Sequence, residues 1–334
     1  MPAADVEHRG PSCVIPRVHI PEDVRKSGSC SEAILGKALG HLHQSGIVVL
    51  QNAVDVAHLD ALNALLTPEA NVLALEPKQH FNFGVHTGNI NQGPPLLEGL
   101  MFRDVWANPL VLSILSSILG PNPVLHYAQG NTALKSGSEL RQPVHSDIDF
   151  HHPLFPFSFV VNTPLVDMTE ENGATEVWLG THASTSIRDQ VLTTDQVKGV
   201  PVRAILPGLL QRRRAVCPPV RAFVPKGSII IRDLRLWHAG MPNRTETPRV
   251  MLAFVWQASW WKGTGVVRLP LSLQNTVREW ERGNDSAEPV TSFRVAAEWL
   301  EGSVGRQRNG DVDTSLSSSD AAVIGVFSGF NGNT

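Results

Sequence analysis

The stretch QPVHSDIDFHHP, residues 142–153, concentrates imidazole and carboxylate side chains that could bind a metal ion. His145 and Asp147 lie two residues apart, so an extended backbone turns both side chains to the same face of a sheet. A second histidine, His238, follows the apolar run SIIIRDLRLW. Two imidazoles and one carboxylate form a facial triad that leaves positions open on Fe(II), which is what oxygen activation needs. We therefore predict an iron centre with His145, Asp147 and His238 as its ligands.

The same stretch holds three further side chains that could coordinate a metal. Asp149 follows Asp147 by one strand repeat, but it breaks the H-x-D spacing, and we expect it beyond the metal or on a turn. His151 and His152 come directly before Pro153, which favours a loop after the strand. We expect these two histidines to face substrate or solvent and not to coordinate the metal.

An iron with open positions needs a co-substrate that chelates it, and 2-oxoglutarate would do so through its keto-acid end. Its distal carboxylate then requires a buried cation, for which a forked guanidinium is the best match. Arg249 stands eleven residues after His238, beyond the turn GMPNRTET, and a hairpin would return it to the neighbourhood of that histidine. Gln142, three residues before His145, could form a hydrogen bond with the same co-substrate.

Helical patterns fill the first third of the chain, and β-prone runs follow. The segment after Ser31 has the pattern of a helix that ends at Gly46 and leads into the strand IVVLQ. Apolar periodicity predicts further helices over 55–66 and 108–120. From Pro123 onward, short β-prone runs alternate with turn signals, which predicts a mainly β fold with flanking helices, an antiparallel barrel or a double-sheet jelly roll.

Changes in composition mark the domain boundaries. Residues 1–30, rich in charge, Pro and Ser, are expected to form a loose arm, and 31–302 a single domain. A Thr-, Arg- and Pro-rich insert near 183–220 interrupts the β pattern, and its length is typical of a lid over a pocket. Within it, we interpret Arg212–Arg214 as a solvated loop in preference to a phosphate or CoA site. The Ser-, Gly- and Asp-rich tail 303–334 is expected to be mobile.

Bulk composition argues against several classes of partner. A formal net charge of -3 and a pI near 6.5 give no general attraction to nucleic acid or to an anionic membrane. No stretch approaches the roughly 20 apolar residues of a membrane span. Cys13, Cys30 and Cys217 are odd in number and contain no C-x-x-C pair, so we expect reduced thiols and, by default, a cytoplasmic location.

Three segments together resemble the phytanoyl-CoA dioxygenase (PhyH) family: QPVHSD, ENGATEVWLGTH and GSIIIRDLRLWHAGMPNRTETPR. The resemblance spans about residues 120–260. It implies an Fe(II)- and 2-oxoglutarate-dependent oxygenase on a double-stranded β-helix, the cupin-like form of the jelly roll. The site residues that it implies are the metal ligands His145, Asp147 and His238, the distal-carboxylate arginine Arg249, and the further 2-oxoglutarate contacts Gln142 and Thr175.

The resemblance also bears on the substrate. The stretch HFNFGVHTGNINQGPP, residues 80–95, is similar to a region that helps wall the substrate pocket in fungal members acting on secondary metabolites. Its acid-poor, aromatic character, together with Trp256, Trp260 and Trp261, indicates a largely apolar small molecule. Packing in the core explains the tryptophans equally well.

We therefore expect a dioxygenase that uses O2 to oxidise such a molecule, by hydroxylation, desaturation or a related reaction, in secondary-metabolite biosynthesis. A homodimer is compatible with this prediction. Two alternatives stay open: a metal-dependent cupin-type enzyme that does not use 2-oxoglutarate, and a non-enzymatic binding protein on an oxygenase fold. Arg249 and Gln142 count against the first alternative, and the intact ligand set counts against the second.

Overall fold

Three apolar helices open the domain, and each begins at a side chain that caps it. Ser31, Asp55 and Asn108 each accept a hydrogen bond from a backbone N–H in the first turn of their helix. Such caps satisfy N–H groups that have no partner within the helix. All three predicted helices are confirmed, and the one predicted over 55–66 continues to Leu73.

The structure is a computed structural model that describes residues 13–77, 79–194, 201–263, 265–282 and 292–302. The predicted mobile tail and the first twelve residues of the predicted arm lie outside these ranges. None of the helices within them combines the length and the apolar character that a membrane span requires. The α-helices are α1 (Glu22–Ser27), α2 (Glu32–Ser45), α3 (Val56–Leu73), α4 (Arg103–Trp106), α5 (Pro109–Leu119), α6 (Pro207–Val216) and α7 (Gln274–Arg282).

Strands from distant parts of the chain build the sheets. The larger sheet has eight strands in the order β1-β2-β10-β5-β12-β4-β14, with β3 paired to β4, and a smaller sheet has the order β11-β6-β9. Both sheets contribute residues to one cavity, so the predicted jelly roll of the double-stranded β-helix type is confirmed. The strands are β1 (Arg17–His19), β2 (Ile47–Gln51), β3 (Asn89–Asn91), β4 (Val124–Ala133), β5 (Ser158–Pro164), β6 (Glu176–Val177), β7 (Gln190–Thr194), β8 (Pro201–Ile205), β9 (Val220–Arg221), β10 (Ile229–Asp233), β11 (His238–Ala239), β12 (Met251–Gln257), β13 (Val267–Pro270), β14 (Arg294–Val295) and β15 (Ala297–Leu300).

Side chains of the larger sheet alternate between a helix-covered face and the cavity. In β10, Ile229 and Ile231 belong to a core cluster that includes apolar residues of α2, α3 and α5. Ile230 and Arg232 line the cavity instead. The register pairs Arg232 with Val160 of β5, which also lines the cavity. The two-residue period of the strand therefore turns a charged side chain of an apolar run towards the site.

The tryptophans near the end of β12 are not among the described residues that line the cavity. Trp256 is buried in the core cluster of the larger sheet, and Trp261 packs against Phe157 with ring centroids 4.5 Å apart. Trp260 is half exposed. Of the two interpretations of these residues, core packing is confirmed for Trp256 and Trp261.

The prediction of a loose N-terminal arm is wrong for part of its length. Strand β1 pairs in parallel with β2 at the edge of the larger sheet, and Ile20 is fully buried directly after it. Helix α1 follows within the same segment. A three-residue edge strand carries too little periodicity to be recognised in the sequence, because its order comes from pairing with a neighbour.

The insert near 183–220 contains an antiparallel hairpin of β7 and β8 followed by helix α6. Arg213 donates a hydrogen bond to a backbone carbonyl just after β6, and Arg214 lies 5.4 Å from the ring centroid of Trp178. The interpretation of Arg212–Arg214 as a loop is therefore wrong, because these residues lie on helix α6, but Arg212 and Arg214 are exposed to solvent as expected. A lid function for the insert stays a prediction.

Cys13 and Cys217 form a disulfide that ties the N-terminal segment to the end of α6. The expectation of reduced thiols is wrong for this pair, and Cys30 is free. The two partners are 204 residues apart, so no local spacing could reveal the pairing. Because disulfides are typical of oxidising compartments, the cytoplasmic location loses its support from cysteine usage and stays a prediction.

Gly46 ends α2 in the left-handed region, with φ 76°, and an added Cβ would lie 2.5 Å from Nδ1 of His182. We expect Gly46→Ala to lower the free energy of unfolding by at least about 1 kcal/mol, the cost of left-handed backbone for a residue with a Cβ. Gly36→Ala, in open space within the same helix, should instead raise it by about 0.5–1 kcal/mol. Chemical denaturation followed by circular dichroism measures both, and a Gly46→Ala protein as stable as the parent would contradict this geometry.

Candidate metal centre

The three predicted metal ligands meet because their backbone segments pair. His145 and His238 exchange two backbone hydrogen bonds, of 3.0 and 2.9 Å, and their ring centroids lie 4.3 Å apart. Asp147 lies two residues beyond His145, and its N–H donates to the carbonyl of Leu234 at 3.0 Å. One ligand atom from each of His145, Asp147 and His238 falls within 4.8 Å of the others.

Hydrogen bonds to backbone carbonyls fix the protonation of both imidazoles. Nδ1 of His145 lies 2.8 Å from the carbonyl oxygen of Pro143, and Nδ1 of His238 lies 3.1 Å from that of Leu236. A carbonyl oxygen only accepts, so both Nδ1 atoms carry a proton, and Nε2 is the nitrogen of each ring that would bind a metal. The guanidinium of Arg232, 3.3 Å from Nδ1 of His238, cannot donate to a protonated nitrogen, so that approach is a contact and not a hydrogen bond.

The two oxygens of Asp147 have different partners. Oδ1 lies 3.3 Å from Nε2 of His238 and 3.9 Å from Nε2 of His145, and Oδ2 accepts a hydrogen bond of 2.6 Å from Arg232. Burial by itself raises the pKa of Asp147, but the charge of Arg232 and the two histidines hold that pKa well below its usual range. Burial, followed by the neighbouring His238, lowers the pKa of His145 to about 3. An ionised carboxylate beside a neutral imidazole is the state that ligates metal.

This donor set fits a divalent iron. Two imidazoles and one carboxylate bring one ligand atom each within 4.8 Å of one another, and this is the donor set of a facial triad. Arg232 and the two backbone carbonyls hold the outer atoms of these ligands, which is the usual way that proteins orient metal ligands.

Arg249 lies in the same cavity with its guanidinium almost fully buried. It donates hydrogen bonds only to backbone carbonyls, those of Asn131, Asn172 and Gly173, at 3.3, 3.4 and 3.2 Å. Within the described part of the chain, no carboxylate forms an ion pair with it. Burial, followed by the charge of Arg221, lowers the pKa of Arg249 to about 10, so the side chain stays charged at neutral pH. A buried cation without an anion is unfavourable unless a ligand supplies one.

The structure also brings Gln142 and Thr175 to this cavity. Oε1 of Gln142 accepts a hydrogen bond of 2.8 Å from the N–H of Gly240, which fixes the amide and leaves its NH2 group as a donor. Gly240 allows this approach, since an added Cβ would lie 2.6 Å from that oxygen. Thr175 is held in place by its carbonyl, which accepts from the N–H of Ala222 next to β9.

The other metal-ligand candidates of the opening stretch lie away from the ligand set. Asp149 pairs with Arg203 at 3.9 Å, His151 is exposed, and Nδ1 of His152 donates to the carbonyl of Pro153. None of the three belongs to the metal-binding cluster found among the described residues. The expectation that these side chains do not coordinate the metal therefore agrees with the geometry.

Sequence reasoning missed several residues of the cavity. Arg232 is the most important of them, and its signal was an arginine directly after three isoleucines in the strand IIIRD. The region predicted to wall the pocket contributes Phe83, whose ring centroid lies 4.4 Å from that of His145 and whose φ is 59°. The same region also contributes Asn82 and Asn91, and the polar lining residues that were not anticipated are Tyr127, Asn131 and Asn162.

Comparison with known proteins agrees with this geometry. The non-heme α-ketoglutarate-dependent epimerase SnoN from nogalamycin biosynthesis has a similar structure, with a TM-score of 0.51 and 17% identity over 69% of this chain and 82% of SnoN. SnoN in complex with Fe3+, α-ketoglutarate and nogalamycin RO gives 0.50 and 18%, over 69% and 85%. At this level of sequence identity, the structural similarity establishes a shared fold and nothing more. The sequence profile of phytanoyl-CoA dioxygenase (PhyH) matches residues 42–251, more than half of the 334 residues, and the chain therefore belongs to the PhyH family.

Proposed function

We propose that the chain oxidises a largely apolar, uncharged small molecule, with Fe(II) on His145, Asp147 and His238 and with 2-oxoglutarate on Arg249. As a PhyH member it is an oxygenase that depends on non-haem iron and 2-oxoglutarate. When bound, the iron would activate O2, whose four oxidising equivalents would be divided between the decarboxylation of 2-oxoglutarate to succinate and CO2 and the two-electron oxidation of the substrate. The proposal rests on the buried Arg249, which lines the cavity of the metal ligands and has no carboxylate partner among the described residues.

The protein holds each end of the co-substrate separately. The three metal ligands would hold the iron and, as in facial triads generally, would leave positions open for the keto acid. Arg249 offers the distal carboxylate two parallel N–H groups, the geometry that makes such pairs strong. We assign to the free NH2 of Gln142 and the hydroxyl of Thr175 the further hydrogen bonds to 2-oxoglutarate, because both line the same cavity.

The remaining cavity surface favours an uncharged substrate. Apolar side chains such as Val160 and Val255 form much of the described lining. Its charged residues are Asp147 and Arg232, which pair with each other, and Arg249, which we assign to the co-substrate. The phosphates of a CoA thioester would need additional cations, and the described lining offers none.

A role in secondary-metabolite biosynthesis is the most specific part of the proposed function. Its support is SnoN, a protein of the same fold that acts in nogalamycin biosynthesis, and the resemblance of residues 80–95 to fungal members with such substrates. The cupin-type alternative gives no role to a buried arginine beside the metal ligands, and a decayed binding protein gives no reason for a complete ligand set. We therefore prefer the oxygenase.

Turnover tests the proposal directly. The protein loaded with Fe(II) and supplied with O2, 2-oxoglutarate and a fractionated metabolite extract should form succinate faster with one or more fractions. Mass spectrometry of those fractions should show a compound that has gained one oxygen atom or lost two hydrogens. Succinate formation that no fraction accelerates, or that proceeds equally without iron, would contradict the proposed reaction.

Substitution of each metal ligand should abolish stoichiometric iron binding and turnover. We expect this for His145→Ala, Asp147→Ala and His238→Ala, since each removes one of the donor atoms that surround the proposed ion. His151→Ala and His152→Ala are the matched controls from the same stretch and should bind iron like the parent. Calorimetric titration with Fe(II) under anaerobic conditions measures the effect, and full binding by the His145 variant would refute the assignment.

Removal of the Arg249 guanidinium should weaken the binding of 2-oxoglutarate and leave the binding of iron unchanged. Loss of one side of a buried charge pair costs on the order of 2–5 kcal/mol, roughly thirtyfold to several thousandfold in affinity. Arg249→Lys should recover part of the loss, because lysine lacks the fork. Arg244→Ala is the control, because Arg244 is an exposed arginine in the turn that precedes Arg249 and pairs with Glu139. Calorimetry on the metal-loaded protein measures the affinity for 2-oxoglutarate. An Arg249→Ala protein that binds 2-oxoglutarate with parental affinity would favour the cupin-type enzyme.

A further inference from the structure

Arg232 occupies a position where a charge is costly. It lies in the apolar strand β10, is 7% exposed, and faces the cavity between Ile47 of β2 and Val160 of β5. Burial of an unpaired guanidinium would be strongly unfavourable. Its anionic partner within the described ranges is Asp147, reached across the cavity from the larger sheet.

The contact with Arg232 leaves Asp147 only one oxygen for a metal. Nη2 of Arg232 donates to Oδ2 at 2.6 Å, while Oδ1 lies nearest the two histidines. A carboxylate can bind a metal through one oxygen or through both. The salt bridge turns Oδ2 towards Arg232 and restrains the rotation of the carboxylate, which disfavours Oδ2 as a second metal-binding oxygen.

We infer that Arg232 is a positioning residue that keeps Asp147 a one-oxygen ligand and thereby preserves an open iron position for 2-oxoglutarate. The inference rests on the proposed function, since it concerns the same metal site. Without Arg232, no other arginine or lysine of the described ranges forms an ion pair with Oδ2, and two-oxygen binding of a metal would occupy a position that the keto acid needs. Loss of the positive charge also makes the site less attractive to an anionic co-substrate.

Removal of the Arg232 charge should therefore change the affinity for the metal and the affinity for 2-oxoglutarate in opposite directions. Removal of a positive charge close to the metal site reduces the repulsion of a divalent cation, so the metal affinity should be unchanged or higher. Removal of groups that hold metal ligands typically costs about 10–100-fold in metal affinity or activity. Here we expect a loss of about that size in the affinity for 2-oxoglutarate instead, because the change removes an open position and not a metal ligand. A variant that was merely misfolded around the site would lose both affinities together.

The experiment compares the parent with Arg232→Met and Arg232→Lys. Calorimetry measures the affinities for Mn(II) and, with metal loaded anaerobically, for 2-oxoglutarate, and the visible absorption of the iron–2-oxo acid chelate reports two-point binding. We expect Arg232→Met to keep or increase Mn(II) affinity, to lose 2-oxoglutarate affinity and to lose the chelate absorption. Arg232→Lys, which retains the charge, should give intermediate values.

Arg203→Met is the matched control, because Arg203 pairs with Asp149, which lies two residues after Asp147 in the same segment. It should leave both affinities and the absorption at parental values. Parental 2-oxoglutarate affinity and absorption in Arg232→Met would overturn the inference, as would an equal loss of metal and co-substrate, or the same loss in Arg203→Met. A parent protein that does not bind 2-oxoglutarate in a metal-dependent way would instead refute the proposed function itself.

Discussion

The antiparallel bridge between His145 and His238 is the contact on which the site depends. Two backbone hydrogen bonds join segments that are far apart in the sequence, and they set the imidazoles side by side on the inner surface of the smaller sheet. In such a pair, residues directly opposite each other point to the same face. Asp147 joins them through the two-residue period of the same segment. The metal site is therefore built by strand pairing, and the side chains add the chemistry to positions that the backbone has already fixed.

Two buried arginines meet the cost of desolvation in different ways. Arg232 is neutralised within the folded chain by Asp147, so its charge serves to hold another side chain. Among the described residues, the hydrogen-bond partners of Arg249 are backbone carbonyls, and these dipoles compensate a full charge incompletely. In the proposed function, the distal carboxylate of 2-oxoglutarate would supply the missing negative charge.

Local pattern and tertiary context diverge most clearly at the edges of the fold. Residues Arg17–His19 carry no periodic signal, yet they complete one edge of the larger sheet by pairing with β2. The run Arg212–Arg214 has the composition of a solvated loop, yet it lies on a helix whose arginines contact a backbone carbonyl and the face of Trp178. In both places the stabilising partner is distant in sequence, so the surroundings of the segment, and not its own residues, decide its structure.

The sequence by itself determined the three capped helices, the succession of short strands and the identity of the metal ligands. The helices, and the pair of His145 and Asp147, depend on neighbouring residues: an apolar period, a capping side chain, or two ligands separated by one residue. His238 lies far along the chain and was recognised from its place after an apolar strand and from the resemblance to the PhyH family. Only the tertiary structure decided that Arg232 reaches Asp147, that Arg249 has no carboxylate partner in the described ranges, and that Cys13 meets Cys217. Such pairings depend on the register between strands and on the packing of distant segments, and because a shift of one residue turns every side chain to the other face, local sequence cannot fix them.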